Sequence, residues 1–295
     1  MRVSSKQLVC EFLQDAPKDK GFTAMVRWFG AKNRIAKWIV SYLPQGEVYV
    51  EPFCGSAAVL FAKEPWPVEV INDRDGILIN LFRVMQNPKT FWELAHRLTW
   101  TPYSYREFKK ARRILLDENA SAVDKAWAAM VAYNQGFSGR CSCDGDWGRS
   151  TKRSNAESWV RRKQLLRFWH ERLSGVYIDS VDGIDCITRW DGPTTVFYID
   201  PPYPPSVRKS SNYYDCETSE EYHQRLVETL LGIKGKAVVS GYDHPLYREL
   251  EREGWRRTSK GMACNAVGRV KGSGLKGKSL SGDRLKRREI LWIKE

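Results

Sequence analysis

Residues 194–203 read TTVFYIDPPY: an apolar, β-branched and aromatic run that passes directly into Asp200-Pro201-Pro202-Tyr203. A nearly continuous apolar run of this length suits a strand covered on both faces, as in a parallel sheet. The two prolines end it, because each lacks an N–H donor and holds φ at about −65°. Ligands of open α/β sheets bind beyond the carboxyl ends of the strands, so the tetrapeptide stands where a site is expected. The proline carbonyls and the Asp200 carboxylate are acceptors, and Tyr203 offers a flat face. Together they suit a planar heterocycle that carries an exocyclic amino group.

Outward from this strand, further strand candidates lie at residues 47–53, 67–73, 176–180, 236–242, 255–263 and 289–294. Helical patterns fill the gaps at 34–43, 57–63, 77–85, 222–231 and 245–253. Alternation of this kind predicts an α/β fold with a mainly parallel sheet of about seven strands. The last two strands are joined by a loop and are expected to finish as an antiparallel pair. Between the second and third strands the pattern turns helical and basic. This divides the chain into an α/β domain, residues 1–86 and 175–295, and an inserted helical domain, residues 87–174. Within the insertion, helices are expected at 104–116, 122–134 and 157–173, the last closing at Gly175, with a loop at 135–156.

The chain has 295 residues, of which 42% are hydrophobic and 28% charged, a globular composition rather than a disordered one. Its 48 Lys and Arg against 35 Asp and Glu leave a net charge of +13, which favours a polyanionic partner, usually nucleic acid. Arg106, Lys109, Lys110 and Arg113 on the helix at 104–116, and Lys276 and Lys278 in the Gly/Ser/Lys-rich loop near the C-terminus, are expected to contact phosphates. Such contacts position a duplex without reading its sequence. Arg208 and Lys209 lie in the polar loop 204–219, which is expected to close over a bound base. No apolar stretch is long enough to span a membrane, and the N-terminus does not read as a secretory signal. Seven Cys without a regular framework point to a reducing cytosol. The Cys141-x-Cys143 pair has no second pair at zinc spacing, so no metal site is expected.

A second motif, EPFCGSAAV at residues 51–59, leaves one strand for a helix, and small residues there let a ligand approach the backbone. Asp73, about 20 residues on at the end of the next strand, stands where such folds place a ribose-binding carboxylate. Phosphate cradles usually carry three glycines. This turn has one, and Glu51 would repel a pyrophosphate. The ligand is therefore expected to be a nucleoside without phosphates, and S-adenosylmethionine fits. A third motif, RWFGAK at residues 27–32, precedes the first strand.

RWFGAK, EPFCGSAAV and DPPY, in that order and with an insertion between the second and third, resemble the Dam-type family of DNA adenine N6-methyltransferases. The likeness extends to residues 134–139 (NQGFSG), Val181-Asp182, residues 240–242 (SGY) and residues 288–292 (REILW). The resemblance implies a Rossmann-like S-adenosylmethionine-dependent sheet and an inserted DNA-recognition domain. It implies that Lys32 and Glu51 lie near the methionine end of the cofactor, and that Trp28, Phe53, Gly55 and Ser56 line it. Asp73 would hold the ribose, and Asp182 the cofactor's adenine amino group. Asp200, Pro201 and Tyr203 would hold the target adenine, flipped out of the duplex. Asn134, Ser138 and Arg140 would belong to a hairpin that touches DNA. The family usually has Gly where Ala57 stands, and its hairpin is only partly matched after Gly139. The expected reaction is direct methyl transfer to adenine N6 in double-stranded DNA, with no obligatory protein partner, in the cytoplasm at the nucleoid. GATC is the family-level expectation for the sequence read. The same fold acting on cytosine N4 or on RNA, or a DNA-binding module without catalysis, are the alternatives.

Overall fold

The computed structural model describes residues 9, 11, 13, 24–28, 30–137, 146–151, 154–203, 218–263 and 286–295. Seven strands form one sheet: β1 (Val48–Glu51), β2 (Val68–Asn72), β3 (Tyr177–Asp179), β4 (Thr195–Ile199), β5 (Lys236–Gly241), β6 (Arg256–Ala263) and β7 (Lys286–Lys294). Their order is β3-β2-β1-β4-β5-β7-β6. The first five are parallel. β7 runs antiparallel between β5 and β6. The chain thus steps outward from β1 to β3, then returns to β4 on the other side of β1. The crevice where direction reverses lies over the carboxyl ends of β1 and β4, where such sheets bind ligands. Every residue of β4 is buried, as its unbroken apolar run requires.

The helices whose ends fall among the described residues are α1 (Ala36–Val40), α2 (Gly76–Gln86), α3 (Pro88–Thr99), α4 (Tyr105–Leu115), α5 (Ala122–Gln135), α6 (Asn155–Gln164), α7 (Leu166–Leu173), α8 (Gly183–Trp190), α9 (Glu220–Gly232) and α10 (Arg248–Arg252). Side-chain caps start most of them: Asp75, Asn87, Ser104, Ser121, Ser154, Asp182 and Ser219 each accept a backbone N–H of the first turn. Each such cap contributes about 1 kcal/mol. Alternate strand residues feed two apolar clusters. Tyr49, Ile71, Tyr198, Val238 and Leu291 pack with α2 to α7, in which Trp127 and Trp169 are fully buried. Val50, Val70, Phe197, Val239 and Trp292 pack with α8, α9 and α10. Residues 87–174 therefore share a core with one face of the sheet.

Several sequence expectations need correction. Residues 57–63 form only a 3-10 turn at Leu60–Ala62, not a helix. The cause is backbone geometry: Gly55 and Ala57 have φ of 45° and 50°. A left-handed non-glycine residue costs about 1–2 kcal/mol, so Ala57 keeps the conformation that a glycine would take freely. The segment 157–173 is two helices that break at Leu165. Ser154, not the following turn, starts the first of them. Gly175 follows the Ser174 cap without positive φ. Residues 34–43 keep helix only at Ala36–Val40. Pro245–Tyr247 is a 3-10 turn ahead of α10.

One ion cluster is buried in the first core. Glu69 of β2 receives hydrogen bonds from Lys63 and from both terminal nitrogens of Arg172 on α7, one of the latter at 2.7 Å. The Lys63 ammonium also lies 4.5 Å and 4.9 Å from the ring centres of Tyr49 and Trp66. Burial alone would raise the Glu69 carboxyl, but Arg172 and Lys63 pull it below the ordinary carboxylate range.

Candidate active site

Glu51 ends β1 and Asp200 directly follows β4, the neighbouring strand, and both meet the crevice. Lys32, from the turn before α1, closes it. Its Nζ lies 2.7 Å from each Asp200 oxygen, 2.8 Å from the Tyr203 hydroxyl and 3.2 Å from the Gly30 carbonyl. Tyr203 accepts from Lys32 and donates to Glu289 at 2.8 Å. Its ring stands 4.4 Å from that of Tyr242, tilted by 43°. Lys32 is 5% exposed and the Asp200 side chain 18%, so the pair is shielded with one edge open. Burial opposes the charge on Lys32, but Asp200 and Glu289 hold its ammonium well above the ordinary range. Burial pushes Asp200 up to about 6, against the pull of Lys32. At neutral pH Lys32 is charged and Asp200 ionised.

The first turn after β1 makes a second concavity. The Gly55 N–H donates to the Asp73 carboxylate at 2.8 Å, and Asp75 N–H to its other oxygen at 2.9 Å. Burial raises Asp73 to about 6, against these backbone donors. A Cβ on Gly55 would meet Trp28 Nε1 at 2.8 Å, so only glycine admits that approach. Asn72 ties the strand ends together through Pro52, Val181 and its own Oδ1. Asp182 caps α8 and accepts from the Tyr222 hydroxyl at 3.1 Å. Phe53 lies edge-on to Tyr222, and a Cβ on Gly183 would overlap its ring at 2.2 Å. Glu51 accepts from Tyr49 at 2.7 Å. Burial pushes it up to about 7. Ser56 and Pro201 are buried at the same turns.

Asn134 stands elsewhere than sequence reasoning placed it. It is buried, its amide bonded to Arg27 N–H and to the carbonyls of Met25 and Met130, and presents no open face to a duplex. The reason is its position at the buried end of α5, where it clamps the segment leading to Trp28. Gln135, next to it, holds Pro102 and Ser104 at the start of α4. Arg106, Lys109, Lys110 and Arg113 are exposed on α4 and line a groove with Tyr105. Ser138, Arg140, Arg208, Lys209, Lys276 and Lys278 lie outside the described residues. Sequence reasoning assigned no role to Glu289, Ser240 or Tyr242, which complete the Lys32 cluster. The available signal was a carboxylate at the start of an apolar alternation in β7, where Glu289, Leu291 and Ile293 share a face. Among the described residues no group of three or more His, Cys, Asp or Glu is placed to hold a metal ion. Among them, too, no helix is long and apolar enough to cross a membrane.

The family described as D12 class N6 adenine-specific DNA methyltransferase matches residues 28–257. The DNA N-6-adenine-methyltransferase of Escherichia phage P1 is 23% identical over 253 residues, which is 83% of this chain and 33% of that protein. The chain thus spans about a third of the phage protein's length. The DNA adenine methylase of Escherichia coli K12 is 23% identical over 238 residues, 77% of this chain and 83% of that protein. A type II methyltransferase of Lactococcus lactis subsp. cremoris is 26% identical over 239 residues, 77% of this chain and 84% of that protein.

Proposed function

The chain belongs to the D12 class of N6 adenine-specific DNA methyltransferases, and on that premise we propose that it transfers a methyl group from S-adenosylmethionine to the N6 nitrogen of an adenine extruded from duplex DNA. The observation that supports it most is the half-buried Asp200-Pro201-Pro202-Tyr203 turn at the sheet's reversal point, on the same edge of the sheet as the Gly55–Asp73 cradle. Adenine N6 is a poor nucleophile because its lone pair is delocalised into the ring. Asp200 and the Pro201 carbonyl accept its two hydrogens and favour a pyramidal nitrogen, which is positioning and electrostatic stabilisation without a covalent enzyme intermediate. Extrusion costs a few kcal/mol. Stacking on Tyr203, worth about 1–3 kcal/mol, offsets part of it.

The second concavity fits a cationic nucleoside. It offers the carboxylates of Glu51, Asp73 and Asp182, the rings of Trp28, Phe53 and Tyr222, and a glycine turn, without the repeated glycines of a phosphate cradle. Asp73 takes the ribose, Asp182 the adenine amino group, and Glu51 with Lys32 the amino-acid end, while Gly55 and Ser56 line the turn. When bound, the cofactor supplies an electrophilic methyl on a sulfonium centre. Glu51, at about 7, is half protonated at neutral pH. Binding of that cation draws the ionised form, so affinity rises from about pH 6.5 to about pH 8 with proton release. Calorimetry in buffers of different ionisation heat reads this, and Glu51→Gln removes it. For the unliganded fold the sign is opposite: a raised carboxyl loses stability as pH rises through about 7.

Residues 87–174 form the target-recognition unit in this reading, and the groove on α4 holds the phosphate backbone. Lys109→Ala with Lys110→Ala lowers the slope of log affinity against log salt by about 2, one for each lost phosphate contact. Anisotropy titrations of a labelled duplex at several salt concentrations measure it; an unchanged slope removes α4 from the interface.

The deciding experiment is transfer of labelled methyl from S-adenosylmethionine into unmethylated duplex DNA, followed by nucleoside analysis. N6-methyladenine is the expected product. N4-methylcytosine, or label found only in RNA, would overturn the reading.

A further inference from the structure

The family match ends at residue 257, yet a residue well beyond it completes the target pocket. Glu289 on β7 is 1% exposed. One of its oxygens accepts from Tyr203 at 2.8 Å and from Ser240 at 2.6 Å. The same oxygen lies 3.5 Å from Lys32 Nζ. Two carboxylates thus face one ammonium in a shielded cluster. Lys32 has three protons, and four acceptors crowd it: both Asp200 oxygens, the Tyr203 hydroxyl and the Gly30 carbonyl. Both Asp200 oxygens are therefore engaged. Each keeps a second lone pair, but an incoming exocyclic amino group binds best at an oxygen from which the ammonium has withdrawn.

We propose that Glu289 is a positioning residue of the target pocket: it anchors the Tyr203 hydroxyl and draws Lys32 off one Asp200 oxygen when the amino group of the base arrives. This rests on the adenine reading above. Without Glu289, Lys32 has among the described residues no second carboxylate within ion-pair reach, and releasing Asp200 would leave a buried ammonium poorly paired, which is strongly unfavourable. With it, the lysine exchanges one carboxylate for another across 3.5 Å and stays charged. Tyr203, accepting from Lys32 and donating to Glu289, bridges the two positions and keeps its ring in place.

Among the described residues the titratable groups facing Asp200 are Lys32, Glu51, Tyr198, Tyr203, Tyr247 and Glu289, and Lys32 is the cation among these. Glu289 raises Asp200, so removing its charge lowers Asp200 and shifts the acidic limb of the rate profile to lower pH.

The test compares Glu289→Gln and Glu289→Asp with the wild-type chain, using S-adenosylmethionine and an unmethylated duplex. The glutamine is isosteric and still accepts from Tyr203 and Ser240. Its kcat is expected to fall about 100-fold, with KM for the duplex changed less than about threefold and the acidic limb displaced downward. The aspartate, which keeps the charge, recovers part of the rate and leaves the limb in place. A wild-type kcat for the glutamine variant overturns the proposal. So does a rate loss that tracks thermal unfolding with an unmoved limb. If the glutamine chain does not fold, the aspartate decides: partial loss of kcat with an unmoved limb supports the role, and an undiminished kcat removes it. Absence of adenine methylation by the wild-type chain would count against the adenine reading rather than against Glu289.

Discussion

Asp200→Ala lowers the methyl-transfer rate by about 10²- to 10³-fold, the loss typical for removing one preorganised stabilising group at a reacting centre. The affected step is chemistry, because the acceptor that favours a pyramidal amino nitrogen is gone. Duplex affinity stays close to wild type, since the substitution leaves the cations on α4 untouched. Single-turnover transfer of labelled methyl, paired with duplex titration, separates the two. Asp200→Asn keeps one carbonyl acceptor and loses less. A full rate in the alanine variant would remove Asp200 from the chemistry altogether. In the wild-type chain the rate falls as pH drops through about 6, because protonated Asp200 loses its charge and keeps only the weaker carbonyl acceptor.

Glu69→Ala has the largest expected effect on stability, about 3–5 kcal/mol. The carboxylate is 4% exposed, and the Lys63 and Arg172 side chains beside it are 2% and 9% exposed. Removing it strands two cations in the apolar cluster between β2 and α7. Thermal or denaturant unfolding reads the loss directly. The pH dependence follows in sign. Because Arg172 and Lys63 hold Glu69 below its unfolded range, its contribution is present above that range and fades as pH falls through the lowered folded value. The wild-type chain therefore shows an acid-side loss of stability that the variant lacks. A variant as stable as wild type would mean that the stranded cations find water.

Much of the fold was legible because burial on both faces leaves a mark in local composition. TTVFYI and KAVVSG, with their turn residues, marked β4 and β5 within a residue or two. The alternation of strands and helices then implied the parallel sheet. The turn at residues 55–63 was misread for a local reason. Its small and apolar residues look helical, but Gly55 and Ala57 take positive φ, and Gly55 is held by the close approach of Trp28 and by the Asp73 bond, neither of which is local in sequence. Asn134 entered the DNA-touching hairpin only through the resemblance, and its local sequence carries no sign of the Arg27 and Met25 backbone that buries it.

The sequence by itself determined which groups exist at the strand ends: Glu51, Asp73 and Asp200 with its two prolines and Tyr203. Covalent order places a motif after a strand, and a strand's direction fixes the edge of the sheet that the motif meets. Tertiary structure alone decided how those groups are charged and held. Lys32 meets Asp200 across 168 positions and Tyr203 meets Glu289 across 86. Only the placement of β7 between β5 and β6 carries the second carboxylate into the pocket. Hydrogen bonds and pKa values depend on distance and desolvation, which are properties of space rather than of order along the chain.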